Sequence, residues 1–227
     1  KKIEYEMLKI ADVVTAVSEF DAKVFRKLYL KSNIFIFRNV VSKKKIKKRK
    51  NKNFNIIISG TFGAKSSPMN ISTRWFLKKI YPLIKDKVKN LKIYIIGMYS
   101  NKEFKSSKKN NIIVKGWVKN ITNFFGLADL AVVPLKYESG TRFKILEAGL
   151  YKIPVISTTL GAEGLKYKKN ESIIIEDNAK KFANKIIYLY HNKRIRDKLA
   201  KNNYKIITCN YSKNILIKDG LKILKKI

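Results

Sequence analysis

The chain has 227 residues, 45% hydrophobic and 11% aromatic, with 51 Lys plus Arg against 16 Asp plus Glu and a formal net charge of +35; that apolar content supports a core and excludes a disordered basic tail. One cysteine, Cys209, and one histidine, His191, exclude an internal disulfide and a Cys/His zinc cluster, and speak against a Ser-His-Asp triad. No run approaches the ~18 apolar residues of a membrane span and KKIEYEMLKI lacks the apolar stretch of a signal peptide, so a reducing, cytoplasmic setting is expected.

In chain order, residues 1–41 read as strand, helix, strand. DVVTAV (12–17) is rich in β-formers, and Ser18 with Asp21 three residues on resembles an N-cap signal. EFDAKVFRKLYL then has helical spacing, and IFIF (34–37) is a short buried strand. Residues 42–53, SKKKIKKRKNKN, are the most basic run. They read as a solvated linker, with a patch for anionic lipid as the other reading.

From Phe54 the pattern becomes regular. FNIIISG is an apolar run closed by Gly60, as expected of a parallel strand buried on both faces. The loop TFGAKSSPMN leads to a helix, ISTRWFLKKIYPLI, that Pro82 should bend or end. Strands follow at 91–97 and 111–118, then a short helix ITNFFGLA and a strand at 129–135. A helix starts near Thr141, with further strands at 153–158 and 172–176 and helices at 178–190, 193–208 and 212–226. This alternation predicts an α/β fold: a doubly wound, Rossmann-like parallel sheet over 54–208, with a short N-terminal unit (1–41), a basic linker (42–53) and a C-terminal helix (209–227). Ligands of such sheets bind beyond the C-terminal strand ends, where the loops 60–66, 97–103, 115–119 and 134–141 should meet.

Two stretches carry candidate chemistry. SGTFG (59–63) could let backbone N–H groups approach a phosphate, although its glycines serve a tight turn equally well and neither G-x-G-x-x-G nor a Walker loop occurs. In ESGTRFKILEAG (138–149), Gly140 breaks the chain before a helix whose N-terminus carries roughly half a unit of positive charge. Lys144 adds a full charge one turn in. At 100° per residue, Gly140, Phe143, Lys144 and Glu147 share one side. The acceptor-only carboxylate of Glu147 suits the paired hydroxyls of a ribose, but a solvated Lys144–Glu147 i,i+3 pair fits the same spacing. Residue physics leaves both readings open. No D-x-D pair occurs, so neither a metal-clamped diphosphate nor any metal site is expected.

The positive charge is made of 44 Lys and only 7 Arg. Arginine is the residue suited to bidentate recognition of bases and phosphates, so nucleic acid is disfavoured as a partner. The Lys/Asn/Ile bias of an A- and T-rich genome explains the charge most simply, with attraction to an anionic membrane face next.

The stretch GWVKNITNFFGLADLAVVPLKYESGTRFKILEAGLYKIPVISTTLGAEGL (116–165) resembles the donor-binding half of GT-B glycosyltransferases of the family 4 type. NIIISGTFGAKSSPMNISTRWFLKKIYPLIKDKVKNLKIYIIG is similar to that domain's first strand, helix and second strand. ADVVTAVSEFDAKVFRKLY with IFIFRNVV is similar to the end of the acceptor domain and the crossing between domains. The resemblance implies a metal-independent, retaining transfer of a sugar from a nucleotide-diphosphate sugar, of UDP or GDP type, to an acceptor hydroxyl, with no cofactor. It assigns the catalytic positions to Lys144, on the diphosphate, and Glu147, on the ribose hydroxyls. It assigns donor binding to Gly60 and Thr61 near the phosphates, to Gly116, Trp117 and Val118 beside the base, to Pro134, and to Glu138, Ser139, Gly140, Thr141 and Arg142 before and at the helix start.

The sequence departs from that pattern at Ser139, where the first Glu of the family's E-x7-E motif is usual and Glu138 is adjacent. The first loop lacks the family's Lys-Gly pair, with Lys65 nearby. Only about fifty residues precede the donor domain. The implied partners are therefore a nucleotide-sugar donor, a glycan, lipid-linked or protein acceptor, and a separately encoded acceptor-domain chain, unless this is a fragment. The alternatives are a non-catalytic nucleotide-sugar-binding subunit, or a basic module binding RNA or an anionic membrane at the cytoplasmic face.

Overall fold

Every strand in the computed structural model runs parallel to its neighbours; the model describes residues 2–29, 33–42, 46, 52–137 and 143–226. A small sheet pairs β1 (Val14–Ala16) with β2 (Ile34–Ile36). The large one is made of β3 (Phe54–Ser59), β4 (Leu91–Ile96), β5 (Ile112–Val114), β6 (Leu130–Val133), β7 (Val155–Ser157) and β8 (Ile174–Ile175), in the order β5-β4-β3-β6-β7-β8. All six residues of β3 are buried, because a central parallel strand covered by helices has no polar face. Its one side-chain amide ties it to β6: Asn55 donates through Nδ2 to the Leu127 carbonyl at 2.8 Å, and its backbone N–H donates to Asp129 Oδ2 at 2.9 Å. These bonds join the start of β3 to the entry of β6. The strand order reverses between β3 and β6, which places a crevice beyond their C-terminal ends.

Helices α3 (Pro68–Trp75) and α4 (Tyr81–Ile84) are continuous through a π-helical segment, Phe76–Ile80. Pro82 cannot donate to the carbonyl four residues back, and its ring crowds that group. The widened turn just before it relieves the crowding, with Tyr81 N–H reaching the Phe76 carbonyl. The helix thus passes through the proline and ends two residues later. Helices α5 (Ser100–Glu103) and α6 (Thr122–Phe125) are single turns, and α7 (Phe143–Leu150) is the apolar helix before β7. The chain closes with α8 (Ala179–His191), capped by Asn178 Oδ1 accepting from Lys181 N–H at 3.1 Å, then α9 (Lys193–Asn210) and α10 (Lys213–Leu224). The expected break at 208/209 therefore falls inside α9, and the C-terminal helix begins at Lys213. His191 and Cys209 are both exposed.

Before β1 lies the N-terminal helix α1 (Lys2–Ile10), which the sequence pattern did not indicate. Its helical spacing is carried by Ile3, Met7 and Ile10, all of which face solvent. Helix α2 (Glu19–Tyr29), which links β1 to β2, starts as the sequence indicates: Asp21 N–H donates to Ser18 Oγ at 3.1 Å, and Ser18 Oγ donates to Asp21 Oδ2 at 2.6 Å. Arg38, on the crossing between the sheets, holds Asp219 of α10 with contacts of 2.6 and 2.9 Å, both side chains being largely buried. Beside it, Val41 N–H donates to the Tyr211 carbonyl, and the Tyr211 hydroxyl accepts from Lys166 N–H at 2.8 Å. The crossing is thereby fastened to the end of α9 and to α10.

The strand ends at the crevice are laced by backbone bonds. Gly60 N–H donates to the Ile96 carbonyl at 3.0 Å, and Gly97 N–H donates to the Gly116 carbonyl at 2.8 Å. Gly97 sits at φ +139°, and a Cβ there would lie 1.8 Å from the Gly60 carbonyl oxygen. Both obstacles are backbone, so no side chain can yield. Gly97→Ala is expected to lower the unfolding free energy by at least about 2 kcal/mol, read by urea denaturation at pH 7.

Candidate functional site

Beyond the ends of β3, β4 and β5 lies a cleft of about 320 Å³ lined by Ser59, Gly60, Thr61, Gly97, Trp117, Val118, Lys144 and Glu147, among others. Four chain segments thus meet where the strand order places the crevice. Gly60 is the reason that Lys144 reaches it. A Cβ at position 60 would lie 2.6 Å from Lys144 Cε and 2.9 Å from Met69 Cγ, so the lysine stem crosses the strand end where a side chain would otherwise stand. Lys144 and Glu147 are half-buried on α7, whose Ile145, Leu146 and Ala148 are fully buried. The packed side of the helix therefore fixes the direction of the cleft side. Gly149 adds to this, since a Cβ there would come within 2.7 Å of Asn203 Nδ2 on α9.

A second cleft of about 320 Å³ opens on the other side of Glu147. It is lined by Val40, Val41 and Ser42 of the crossing, by Val118 to Thr122, and by Phe143, Leu150 and Tyr151 of α7 and its end. Val118, Ile121 and Glu147 belong to both clefts. The two together form one trough, with a glycine-walled cationic end, a carboxylate in the middle, and a mixed polar and apolar end between the crossing and α7. The first end suits phosphate, and the middle accepts hydrogen bonds from hydroxyls.

Of the other residues singled out in the sequence, Gly116 acts through its backbone: it turns at φ +59° after β5, with Asn101 Oδ1 2.9 Å from where a Cβ would be. Pro134 is buried behind the end of β6. Glu138, Ser139, Gly140, Thr141 and Arg142 lie outside the described residues. The segment leading to them is held firmly. Tyr137 donates its hydroxyl to the Ser66 carbonyl, Lys136 N–H donates to Ser72 Oγ at 3.2 Å, and Thr158 Oγ1 donates to the Leu135 carbonyl at 2.5 Å. Lys136 Nζ also lies 4.0 Å above the Trp75 ring. These contacts bind the approach to residues 138–142 onto the 60–67 loop and α3. Tyr137 and Ser42 escaped the sequence reading, because each acts through partners remote in sequence.

Under the first loop, Asn70 Nδ2 donates to Glu103 Oε2 at 2.6 Å and Arg74 pairs with the same oxygen at 3.1 Å. The Asn70 amide, and then Arg74, hold the Glu103 carboxyl below its usual range. Near the crossing, burial pushes the Tyr211 phenol up. Among the described residues, no group of three or more His, Cys, Asp and Glu could hold a metal ion. Gly60→Ala tests the arrangement: displacing the flexible Lys144 stem should change stability by less than about 1 kcal/mol while lowering affinity for a diphosphate ligand at least tenfold, measured by calorimetric titration.

Comparison with known proteins agrees with this architecture. The family described as Glycosyl transferases group 1 matches residues 44–192. A Klebsiella pneumoniae protein described as an uncharacterized 44.6 kDa protein in the cps region is 25% identical over 146 residues, 60% of this chain and 38% of its own. A mutant of S. aureus TarM, solved with Fondaparinux, alpha-GlcNAc-glycerol and UDP, superposes with a TM-score of 0.80 at 18% identity, over 98% of this chain and 45% of that one. The pneumococcal O-GlcNAc transferase GtfA, solved with UDP and GlcNAc, gives 0.77 at 15% identity, over 99% and 47%. The chain thus spans less than half the length of these relatives. Its fold is the GT-B glycosyltransferase fold over the part that it spans, and the chain belongs to the glycosyl transferases group 1 family.

Proposed function

We propose that this chain is the donor-binding half of a retaining, metal-independent glycosyltransferase of the family 4 type, holding a nucleotide-diphosphate sugar in the trough at the β3/β6 switch point. The observation that carries this reading is the placement of Lys144 and Glu147, on consecutive turns of α7, in one cleft with the glycine end of β3. The diphosphate lies over Gly60 and Thr61 against the Lys144 ammonium, and the ribose hydroxyls donate to Glu147. UDP, present in the TarM and GtfA structures, is the first donor nucleotide to try, and GDP the second. In the transfer, the bond from the sugar's anomeric carbon to the diphosphate oxygen breaks, a bond to the acceptor hydroxyl oxygen forms on the same face, and the hydroxyl proton passes to the leaving diphosphate oxygen. Charge then grows on the leaving diphosphate, where Lys144 stabilises it.

The acceptor side is incomplete in the described residues. Parallel sheets are ordinarily covered and extended, yet β1 and β2 form a sheet of two strands, flanked by exposed Ile3, Met7, Phe20, Leu28 and Phe37. These surfaces suit packing against an acceptor lobe, supplied by a longer polypeptide or by a separate chain. The acceptor is a glycan or a lipid-linked or protein hydroxyl. A second reading, nucleotide-sugar binding without catalysis, is favoured by Ser139 standing where the family's first Glu is usual. Among the described residues no helix is long and apolar enough to cross a membrane, and the lysine surplus supports peripheral contact with an anionic cytoplasmic face.

A thermal-shift series with UDP, GDP and ADP tests the site. A ligand at about a hundred times its dissociation constant adds roughly 2.7 kcal/mol of stability. Glu147→Ala should weaken the best binder by about 1.5–3 kcal/mol, the worth of a charge-assisted hydrogen bond. No shift with any nucleotide would contradict a donor site, and unchanged affinity in the variant would return Glu147 to a surface ion pair.

A further inference from the structure

We propose that the exposed cluster Met98, Tyr99 and Trp117, with the lysines around it, seats this chain on an anionic lipid bilayer. The inference narrows the peripheral-contact reading above to one face, and it is independent of the donor site. Trp117 is 67% exposed, and Met98 and Tyr99 are each 44% exposed. Their loops adjoin: Phe62 N–H donates to the Met98 carbonyl at 2.9 Å, and Gly97 N–H donates to the Gly116 carbonyl at 2.8 Å. Large apolar side chains exposed singly are ordinary, whereas a group on adjoining loops calls for a partner. Tyr99 also holds φ at +64°, a conformation uncommon for a bulky residue. Strain kept for an exposed ring points to a contact outside the chain.

Charge and shape select the partner. Lys65, Lys102, Lys115 and Lys119 stand exposed on the same loops, and Lys102 Nζ lies 5.4 Å from the centre of the Tyr99 ring. The one acid among residues 60–66, 97–103 and 115–119 is Glu103, which Asn70 and Arg74 already hold. The surface therefore offers cations and amphipathic rings with no free carboxylate, the combination that settles at the headgroup level of an anionic membrane. RNA fits less well. These loops hold no arginine, Met98 has no ring to stack on, and the Tyr99 ring is engaged by Lys102. A stable protein interface needs roughly 800 Å² on each side, more than these three side chains offer. The N-terminal unit meets the lobe elsewhere, since Val17 to Phe20 share a cavity with Glu163 to Tyr167. Among the described residues, the rim at the ends of β4 and β5 stays open.

The net charge alone draws any face of the chain towards an anionic vesicle, so the readout must identify the face that lands. Trp75 packs against Phe182, and Trp75→Phe leaves Trp117 as the sole tryptophan. With vesicles of phosphatidylglycerol and phosphatidylcholine, and no nucleotide, Trp117 emission should shift to the blue and its quenching by acrylamide should fall severalfold. Phosphatidylcholine alone should produce neither change. Tyr99→Gly suits the positive φ, and should keep the melting temperature while weakening vesicle binding about tenfold, the worth of one buried aromatic side chain. Lys102→Glu with Lys115→Glu should leave Trp117 in water. The same charge change at Lys180 and Lys201, exposed on α8 and α9, should not. Vesicle binding with Trp117 still open to acrylamide, or undiminished binding by the folded Tyr99→Gly chain, overturns the inference. So does a preference for single-stranded RNA over the vesicles that the same substitutions abolish. With nucleotide absent, none of these outcomes bears on the donor site.

Discussion

The site depends on a close approach of three chain segments at the end of β3. Gly60 lies between the backbone of Gly97 on one side and the aliphatic stem of Lys144 on the other. A side chain at Gly97 would meet backbone, whereas one at Gly60 would push the lysine stem aside. Because β3 and β4 are in register over six residues, from Phe54↔Leu91 to Ser59↔Ile96, the two strand ends arrive at the same level and must share that space. The consequence is chemical: an ammonium group from α7 is carried onto a wall made of backbone, and the carboxylate of Glu147 follows one turn on. Buried packing holds the geometry, and the polar groups of the cleft are its by-product.

Electrostatics contributes less to the fold than the charge suggests. The exposed pairs Lys168–Glu171 and Lys193–Asp197 belong to a class worth about 0–1 kcal/mol each. Several surplus cations lie on aromatic rings instead, with Lys136 over Trp75, Lys152 over Tyr204 and Lys102 over Tyr99. The ion pair in a structurally demanding place is Arg38–Asp219, largely removed from water, where losing one partner strands the other. It joins the crossing to α10, and so fixes the Val40–Ser42 wall of the second cleft.

Much of the fold was legible because local and global signals coincide. FNIIIS could be little but a central strand, and glycines after strands marked the edge where ligands bind. Helical spacing likewise puts Lys144 and Glu147 on one side of α7, and both line one cleft. The misreadings have local causes. The N-terminal helix buries little of its apolar side, and α5 is a single turn without periodicity. Strand 111–118 shortened to β5 because Gly116 turns the chain at positive φ. Tyr137 and Ser42 had no sequence signal at all, since their positions matter only once segments distant in sequence have folded against each other.

In the proposed donor site one nucleotide spans both clefts, with Glu147 at its ribose. A crystal structure of the chain with UDP tests it most directly. The diphosphate should lie against Gly60 and Lys144, both ribose hydroxyls within hydrogen-bond reach of Glu147, and the base between Val118 and the Val40–Ser42 wall. A nucleotide bound elsewhere, or bound in the trough with its ribose hydroxyls turned away from Glu147, would contradict the claim.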